Sequence, residues 1–101
     1  MMIRHSVYFW LDDSLSEDDA VAFEGGLRAL FEIDVVSAGS FGRAAGTPER
    51  AVTHNSFDYA LVLEFEDIER HNAYQIHPEH EVFVEKFSQW FKEVRVFDTQ
   101  F

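Results

Sequence analysis

The alternation of side chains in the first strand-like segment constrains the fold more than any other feature of the sequence. Residues 2–11 contain two interleaved sets: Ile3, His5, Val7, Phe9 and Leu11 on one side, and Arg4, Ser6, Tyr8 and Trp10 on the other. A period of two in β-branched and aromatic residues predicts a β-strand. Because both sets contain aromatic rings, neither face of this strand is expected to be fully exposed to water.

Hydrophobic periodicity and turn residues divide the rest of the chain into six further elements. In chain order these are a helix over about 16–32, a strand over 35–43, a strand over 57–65, a helix over 67–75, a helix that begins at Pro78, and a last strand around Val94 and Val96. Residues 44–56 form a long connection. Ser16 and Asp19 match a capping box at the start of the first helix. Within that helix, Gly25 and Gly26 indicate the close approach of another element.

The order β-α-β-β-α-α-β predicts an α+β fold with a ferredoxin-like, four-stranded antiparallel sheet and helices on one face. We expect residues 1–101 to form a single domain. The helix-free face would expose Tyr8, Trp10 and Val62, which is a large apolar patch for a monomer. Pairing of two sheets across a dimer axis would cover it. We therefore predict a homodimer formed through the sheet face, as in a dimeric α/β barrel.

Composition excludes several classes of partner. The formal net charge is −11, whereas nucleic acids and anionic membranes require a positive surface. No apolar run is long enough for a membrane span, and no signal peptide is recognisable. The chain contains no cysteine, which favours a cytoplasmic protein without disulfides or thiolate sites. No phosphate loop or dinucleotide fingerprint is present, so we predict no cofactor.

Residues 74–80, Tyr-Gln-Ile-His-Pro-Glu-His, place a phenol and two imidazoles around one helix start. Proline is favoured at the first helical position, so Pro78 puts His80 in the first turn. His80 shares a helical face with Phe83 and should point inward. Both burial and the helix N-terminus favour a neutral imidazole, which is the form that a general base requires. The alternative is a core histidine with a purely structural role.

Two other side chains could join His80 in a site. Tyr74 could donate a hydrogen bond to an enolate oxygen, or it could simply bury its ring. His5 is a polar residue in an apolar row and therefore needs a partner; it could form one wall of the same pocket. His77 is expected to support the helix entry, while His54 and His71 are expected at the surface. No carboxylate is clearly directed at these histidines, so we predict no metal site.

These features together resemble the Dabb family, the stress-responsive dimeric A/B barrel domain. The resemblance covers nearly the whole chain. It includes Ile-Arg-His-Ser-Val-Tyr-Phe-Trp-Leu at 3–11, Ser-Phe-Asp-Tyr-Ala-Leu at 56–61, the segment 74–80, and Val-Arg-Val-Phe-Asp at 94–98. Membership implies the dimeric barrel fold but no particular reaction, because most members have no established activity.

A plant polyketide cyclase of that family, which catalyses an intramolecular aldol condensation, suggests roles for individual residues. Its catalytic tyrosine and histidine match Tyr74 and His80, and two pocket histidines match His5 and His77. The present chain differs at three pocket positions, where it has Glu24, Leu27 and Val84. These differences argue against the same substrate, and Val84 should narrow the cavity.

The sequence therefore predicts cofactor-free proton-transfer chemistry on a carbonyl compound, such as cyclisation or isomerisation, in a small apolar pocket. The predicted catalytic residues are His80, Tyr74 and His5. The predicted residues in contact with a small apolar or aromatic ligand are His77, Val7, Phe9, Phe23, Leu27 and Phe83. The alternative is a non-catalytic stress-response or ligand-binding homodimer in which these side chains only fix the helix entry.

Overall fold

The computed structural model describes all residues from 1 to 101. Its elements, in chain order, are β1 (Ile3–Leu11), α1 (Glu17–Phe31), β2 (Ala38–Gly42), β3 (Tyr59–Phe65), α2 (Ile68–Gln75), α3 (Pro78–Phe87), a 3-10 turn (Ser88–Trp90) and β4 (Phe91–Gln100). The predicted element order is confirmed. The second strand begins later than predicted because residues 32–36 form tight turns: the Glu32, Ile33 and Val36 amides each donate to the carbonyl three residues earlier.

The four strands form one antiparallel sheet in the order β2-β3-β1-β4. Alternate residues of β1 and β3 are buried beneath the helices, as the period of two predicts. The ferredoxin-like α+β fold is therefore confirmed. No helix has the length and apolar character of a membrane-spanning segment.

The helix starts follow the local sequence. The Ser16 hydroxyl accepts from the Asp19 amide and the Asp19 carboxylate accepts from the Ser16 amide, which completes the predicted capping box. The Asp67 carboxylate caps α2 in a similar way. At α3, Pro78 occupies the first turn and the His77 imidazole accepts from the Glu79 amide at 3.0 Å. These three caps each satisfy a backbone amide in the first turn of a helix and so define where the helices begin.

Close packing of α1 against α3 explains one of the two adjacent glycines. A Cβ atom at Gly26 would lie 2.3 Å from Cε2 of Phe87, whereas a Cβ atom at Gly25 would meet nothing within 4 Å. Phe87 is itself held by Phe23 and Phe83, at ring-centroid distances of 5.4 and 5.2 Å. Gly26 therefore permits the close approach that the sequence indicated, while Gly25 does not contribute to it.

Strand β4 lies at an edge of the sheet and is only partly covered by helices. His5 and Val7 of β1 are directly opposite Asp98 and Val96 of β4, and paired residues project from the same face. His5 and Val7 are buried, but Val96 is 48% exposed. The helical layer thus leaves a gap above β4, and the candidate functional site lies beside this gap.

Candidate functional site

A cavity of about 300 Å³ lies between the sheet and the helices α2 and α3. Most of its lining side chains are hydrophobic, and the polar ones are grouped. The lining consists of His5, Val7, Phe9, Leu30, Leu61, His71, Tyr74, Gln75, His80, Phe83, Val84, Phe91, Val94, Val96 and Asp98. Because Val84, Val94 and Val96 are partly exposed, the cavity opens to solvent between α3 and β4.

His5 forms the polar base of the cavity. Its Nδ1 atom lies 2.6 Å from Oδ1 of Asp98, the residue opposite it in the sheet. The His5 side chain is 5% exposed and the Asp98 side chain 44% exposed, so the carboxylate is partly solvated while the imidazole is not. Burial lowers the pKa of His5, and the hydrogen bond and negative charge of Asp98 oppose that shift. A carboxylate in this position orients the imidazole and fixes its tautomer.

Tyr74 and His80 form a second polar group on the helical wall. Tyr74 lies in the last turn of α2 and His80 in the first turn of α3, and the short connection places their ring centroids 4.8 Å apart. The Tyr74 ring is also 5.9 Å from that of His5. The helix ends thus bring a phenol between two imidazoles.

The protonation states of this group follow from its surroundings. Burial raises the pKa of Tyr74, and no hydrogen bond or charge contributes to the shift. Burial is also the largest cause of the lowered pKa of His80; nearby His5 acts in the same direction, while the Gln75 backbone and Glu81 oppose it. Neutral His80 can accept a proton, and the protonated Tyr74 hydroxyl can donate a hydrogen bond.

Most of the sequence-predicted site residues come together at this cavity. His80, Tyr74 and His5 line it, as do three of the predicted ligand contacts, namely Val7, Phe9 and Phe83.

The other three predicted contacts are placed elsewhere. Phe23 and Leu27 are fully buried in the core between α1 and the sheet, where they do not line the cavity. His77 caps α3 and also lies outside the cavity lining. Its predicted role at the helix entry agrees with this position.

Sequence reasoning missed two members of the site. His71 was expected at the surface, but its side chain is only 17% exposed and its ring centroid lies 5.0 Å from that of His5. Asp98 was not identified as a carboxylate directed at the histidines. Counting every second residue along β4 from Val94 and Val96 would have placed Asp98 on the face that the helices cover. Its pairing with His5, however, follows from the register of β1 and β4 and not from the sequence of β4.

The sequence profile of the stress responsive A/B barrel domain (Dabb) family matches residues 3–101. The chain belongs to the Dabb family. No match was found among curated protein sequences. The family resemblance seen in the sequence is thus confirmed over almost the whole chain.

Solved structures with the same fold include another Dabb family protein and proteins with other descriptions. A Dabb family protein from Mesorhizobium loti is 24% identical with a TM-score of 0.78, covering 98% of this chain and 95% of its own. A dimeric ferredoxin-like protein of unknown function from Thermobifida fusca is 20% identical with a TM-score of 0.81, and the match covers 100% of this chain and 92% of that protein. A hydroxynitrile lyase from Passiflora edulis is 18% identical with a TM-score of 0.83, and the match covers 97% of this chain and 91% of the lyase. At these identities the likeness shows the fold.

Proposed function

We propose that this Dabb protein binds a small apolar carbonyl compound in the cavity and catalyses cofactor-free proton transfer at the carbon next to the carbonyl. The observation that supports the proposal is the cavity itself. Had the space beside His80 been filled by side chains, His80 and Tyr74 would have had only a structural role. Instead they border about 300 Å³ of space that is lined mainly by apolar groups.

The proposed step uses the two groups on the helical wall. Neutral His80 takes a proton from the carbon, and the electron pair of the broken C–H bond moves into the carbonyl to form an enolate. The Tyr74 hydroxyl donates a hydrogen bond to the enolate oxygen, which is the atom where negative charge develops. In an isomerisation, protonated His80 returns the proton to the opposite face of the same carbon or to a conjugated carbon. In a cyclisation, the enolate carbon forms a C–C bond to a second carbonyl of the same molecule, whose C=O π electrons move onto its oxygen, and protonated His80 gives its proton to that alkoxide oxygen. Neither outcome consumes a redox partner.

Two features of the site support these assignments. Burial favours the neutral form of His80, which the first half of the step requires. The Tyr74 hydroxyl, whose pKa is affected by burial alone, is not engaged by a charged or hydrogen-bonding side chain and is available to a ligand. His5, oriented by Asp98, would complete the polar side of the cavity and position the bound carbonyl.

We further propose that the protein is a homodimer formed through the helix-free face of the sheet. On that face the Tyr8 ring packs against Phe57 and Phe97 at centroid distances of 4.9 and 6.0 Å. Phe97 remains 57% exposed, and Trp10 is also only partly buried. An apolar surface of this kind requires a cover. Dimers among the structural neighbours support a second copy as that cover.

A binding protein without catalysis is the second candidate. The apolar lining favours it, because a dry pocket can retain a small ligand without any proton transfer. The hydroxynitrile lyase among the neighbours supports the enzymatic candidate only by showing an enzyme on the same fold.

Deuterium exchange separates the two candidates. A panel of small aryl and alkyl methyl ketones would be incubated with the protein in D₂O and a chelator, with exchange beside the carbonyl followed by NMR. We expect exchange that depends on the protein and is lost in His80→Ala, whereas His54→Ala, in the exposed loop, should retain it. Ligand binding with no exchange by wild-type protein would refute the enzymatic proposal and leave the binding protein.

A further inference from the structure

We propose that His5, His71 and Asp98 form a binding site for a divalent first-row transition-metal ion such as Zn²⁺. One ring nitrogen from each histidine and one carboxylate oxygen all lie within 4.8 Å of one another. Two imidazoles and a carboxylate are ligands that zinc and its neighbours in the first row accept, whereas Mg²⁺ and Ca²⁺ prefer oxygen ligands throughout. The inference is independent of the proposed function, which requires no metal.

The orientation of His71 is the strongest indication. Its Nδ1 lies 3.1 Å from the Asn72 side-chain oxygen, and in the tautomer in which Nδ1 donates to this oxygen, Nε2 has a free lone pair. That Nε2 atom is buried and has no hydrogen-bond partner. A buried polar atom without a partner is uncommon in proteins and calls for an explanation. The hydrogen bond at Nδ1 leaves Nε2 ready to bind a metal.

The surroundings of this lone pair favour a cation. Nε2 of His71 lies 3.8 Å from Oδ1 of Asp98, so two electron-pair donors, both hydrogen-bond acceptors, face each other. On the other side, Oδ1 of Asp98 lies 2.6 Å from Nδ1 of His5. The His71 ring is held in place by edge contacts with Phe65 and His5, at centroid distances of 5.5 and 5.0 Å. A metal ion would satisfy all three groups at once.

Side-chain shifts would bring the three ligand atoms to the separations of a tetrahedral site. Bonds of about 2.0–2.1 Å place neighbouring ligand atoms roughly 3.3 Å apart around a tetrahedral zinc ion. The separations of Asp98 Oδ1 from Nδ1 of His5 and Nε2 of His71, 2.6 and 3.8 Å, lie on either side of this value, and all three ligand atoms lie within 4.8 Å of one another. Asp98 is partly exposed and lies on an edge strand, so its carboxylate has room to move.

The protein supplies three ligands, and the fourth position faces the cavity that all three residues line. An open fourth position is typical of zinc sites that bind water or a small ligand, whereas structural sites are closed. At Nδ1 of His5 the metal would replace the proton, which moves to Nε2 of the same ring. The Gln75 amide nitrogen lies 3.5 Å from that Nε2, and a flip of the amide would let the Gln75 oxygen accept a hydrogen bond from the new N–H.

Cobalt binding provides the test. Untagged protein freed of metal would be titrated with Co²⁺, with visible absorption reporting the coordination and elemental analysis reporting the stoichiometry. We expect one Co²⁺ per chain with a tetrahedral-type spectrum, displaced by Zn²⁺. His71→Asn and Asp98→Asn should each weaken binding by at least about 10–100-fold, the loss that even outer-shell changes cause.

Two controls complete the design. His54→Asn alters an exposed histidine outside the site, and Tyr74→Phe alters the proposed acid–base pair; both should bind cobalt as wild type does. Circular dichroism would show that each variant is folded. Failure of wild type to bind cobalt, or binding that survives both His71→Asn and Asp98→Asn, would overturn the metal site. Neither result would affect the deuterium-exchange experiment, which is performed with chelator.

Discussion

Removal of a tyrosine hydroxyl should have opposite consequences at two buried positions of the same protein. The Tyr74 ring is 1% exposed and its hydroxyl has no hydrogen-bonding group that affects its pKa. The Tyr59 ring is 4% exposed, but its hydroxyl donates to Oε2 of Glu24 at 2.6 Å and accepts from Arg43 at 2.9 Å. The change from tyrosine to phenylalanine is chemically identical, so differences must come from the surroundings.

The expected effects on stability follow from these bonds. A hydrogen bond to a charged group contributes about 1.5–3 kcal/mol, but Glu24 and Arg43 are partly solvated and also bond to each other. We therefore expect Tyr59→Phe to lower the free energy of unfolding by about 1–2 kcal/mol. Tyr74→Phe loses no internal bond and should change it by less than about 0.5 kcal/mol. In a domain of this size, each kcal/mol corresponds to roughly 4–8 °C in Tm.

The expected effects on function are the reverse. Removing one donor to a developing oxyanion typically lowers the rate by about 10²–10³-fold, so Tyr74→Phe should reduce ketone deuterium exchange by at least about 100-fold. Tyr59 does not line the cavity, and its folded variant should exchange at the wild-type rate. Urea unfolding and NMR exchange on the same preparations provide both measurements.

One pattern of results would refute this reasoning. If Tyr74→Phe mainly destabilised the fold, by as much as Tyr59→Phe, then the Tyr74 hydroxyl would have a structural role and the proposed oxyanion donor would be wrong. An unchanged exchange rate in a stable Tyr74→Phe protein would contradict the same assignment, even though the stability prediction had succeeded.

Three further results are expected. In urea unfolding, Gly26→Ala should be less stable than Gly25→Ala by about 1–3 kcal/mol, because the alanine methyl group at position 26 meets Phe87 in a packed core. Equal stabilities of the two variants would contradict this packing. The pKa of the His80 imidazole, followed by NMR with chelator present, should lie below its usual 6.5 because the residue is buried. Ketone exchange should therefore be retained above pH 6.5 and fall at lower pH as His80 becomes protonated. A midpoint above 6.5 would disprove the effect of burial. In analytical ultracentrifugation the wild-type protein should sediment as the proposed dimer and Phe97→Lys, on the exposed sheet face, as a monomer. A wild-type monomer would refute the dimer, and an unchanged dimer in the variant would exclude that face as the interface.

Local sequence was sufficient for the parts of the site that lie within one element. Pro78 fixed the start of α3, and the helical phase then placed His80 on the side of Phe83. The alternation of β1 placed His5 with Val7 and Phe9 on the buried face. These predictions succeeded because helical and strand periodicity depend on neighbouring residues alone.

The same local logic failed where a residue's surroundings come from distant segments. Phe23 and Leu27 were predicted to contact a ligand, but the packing of α1 against the sheet places them in the filled core. His71 was expected at the surface, but its environment is created by Phe65 and His5 from two strands. No pattern within α2 contains that information.

The sequence by itself determined the element order, the ferredoxin-like sheet, and the inward positions of His5 and His80, because each depends on short-range periodicity, caps and turns. Only the tertiary structure decided that space remains between these side chains and that Asp98, 93 residues after His5, lies 2.6 Å from it. The physical reason is that cavities and cross-strand contacts arise from how separate elements meet. The register of the sheet and the gap above the edge strand β4 therefore bring together, in one candidate site, residues that are far apart in the sequence.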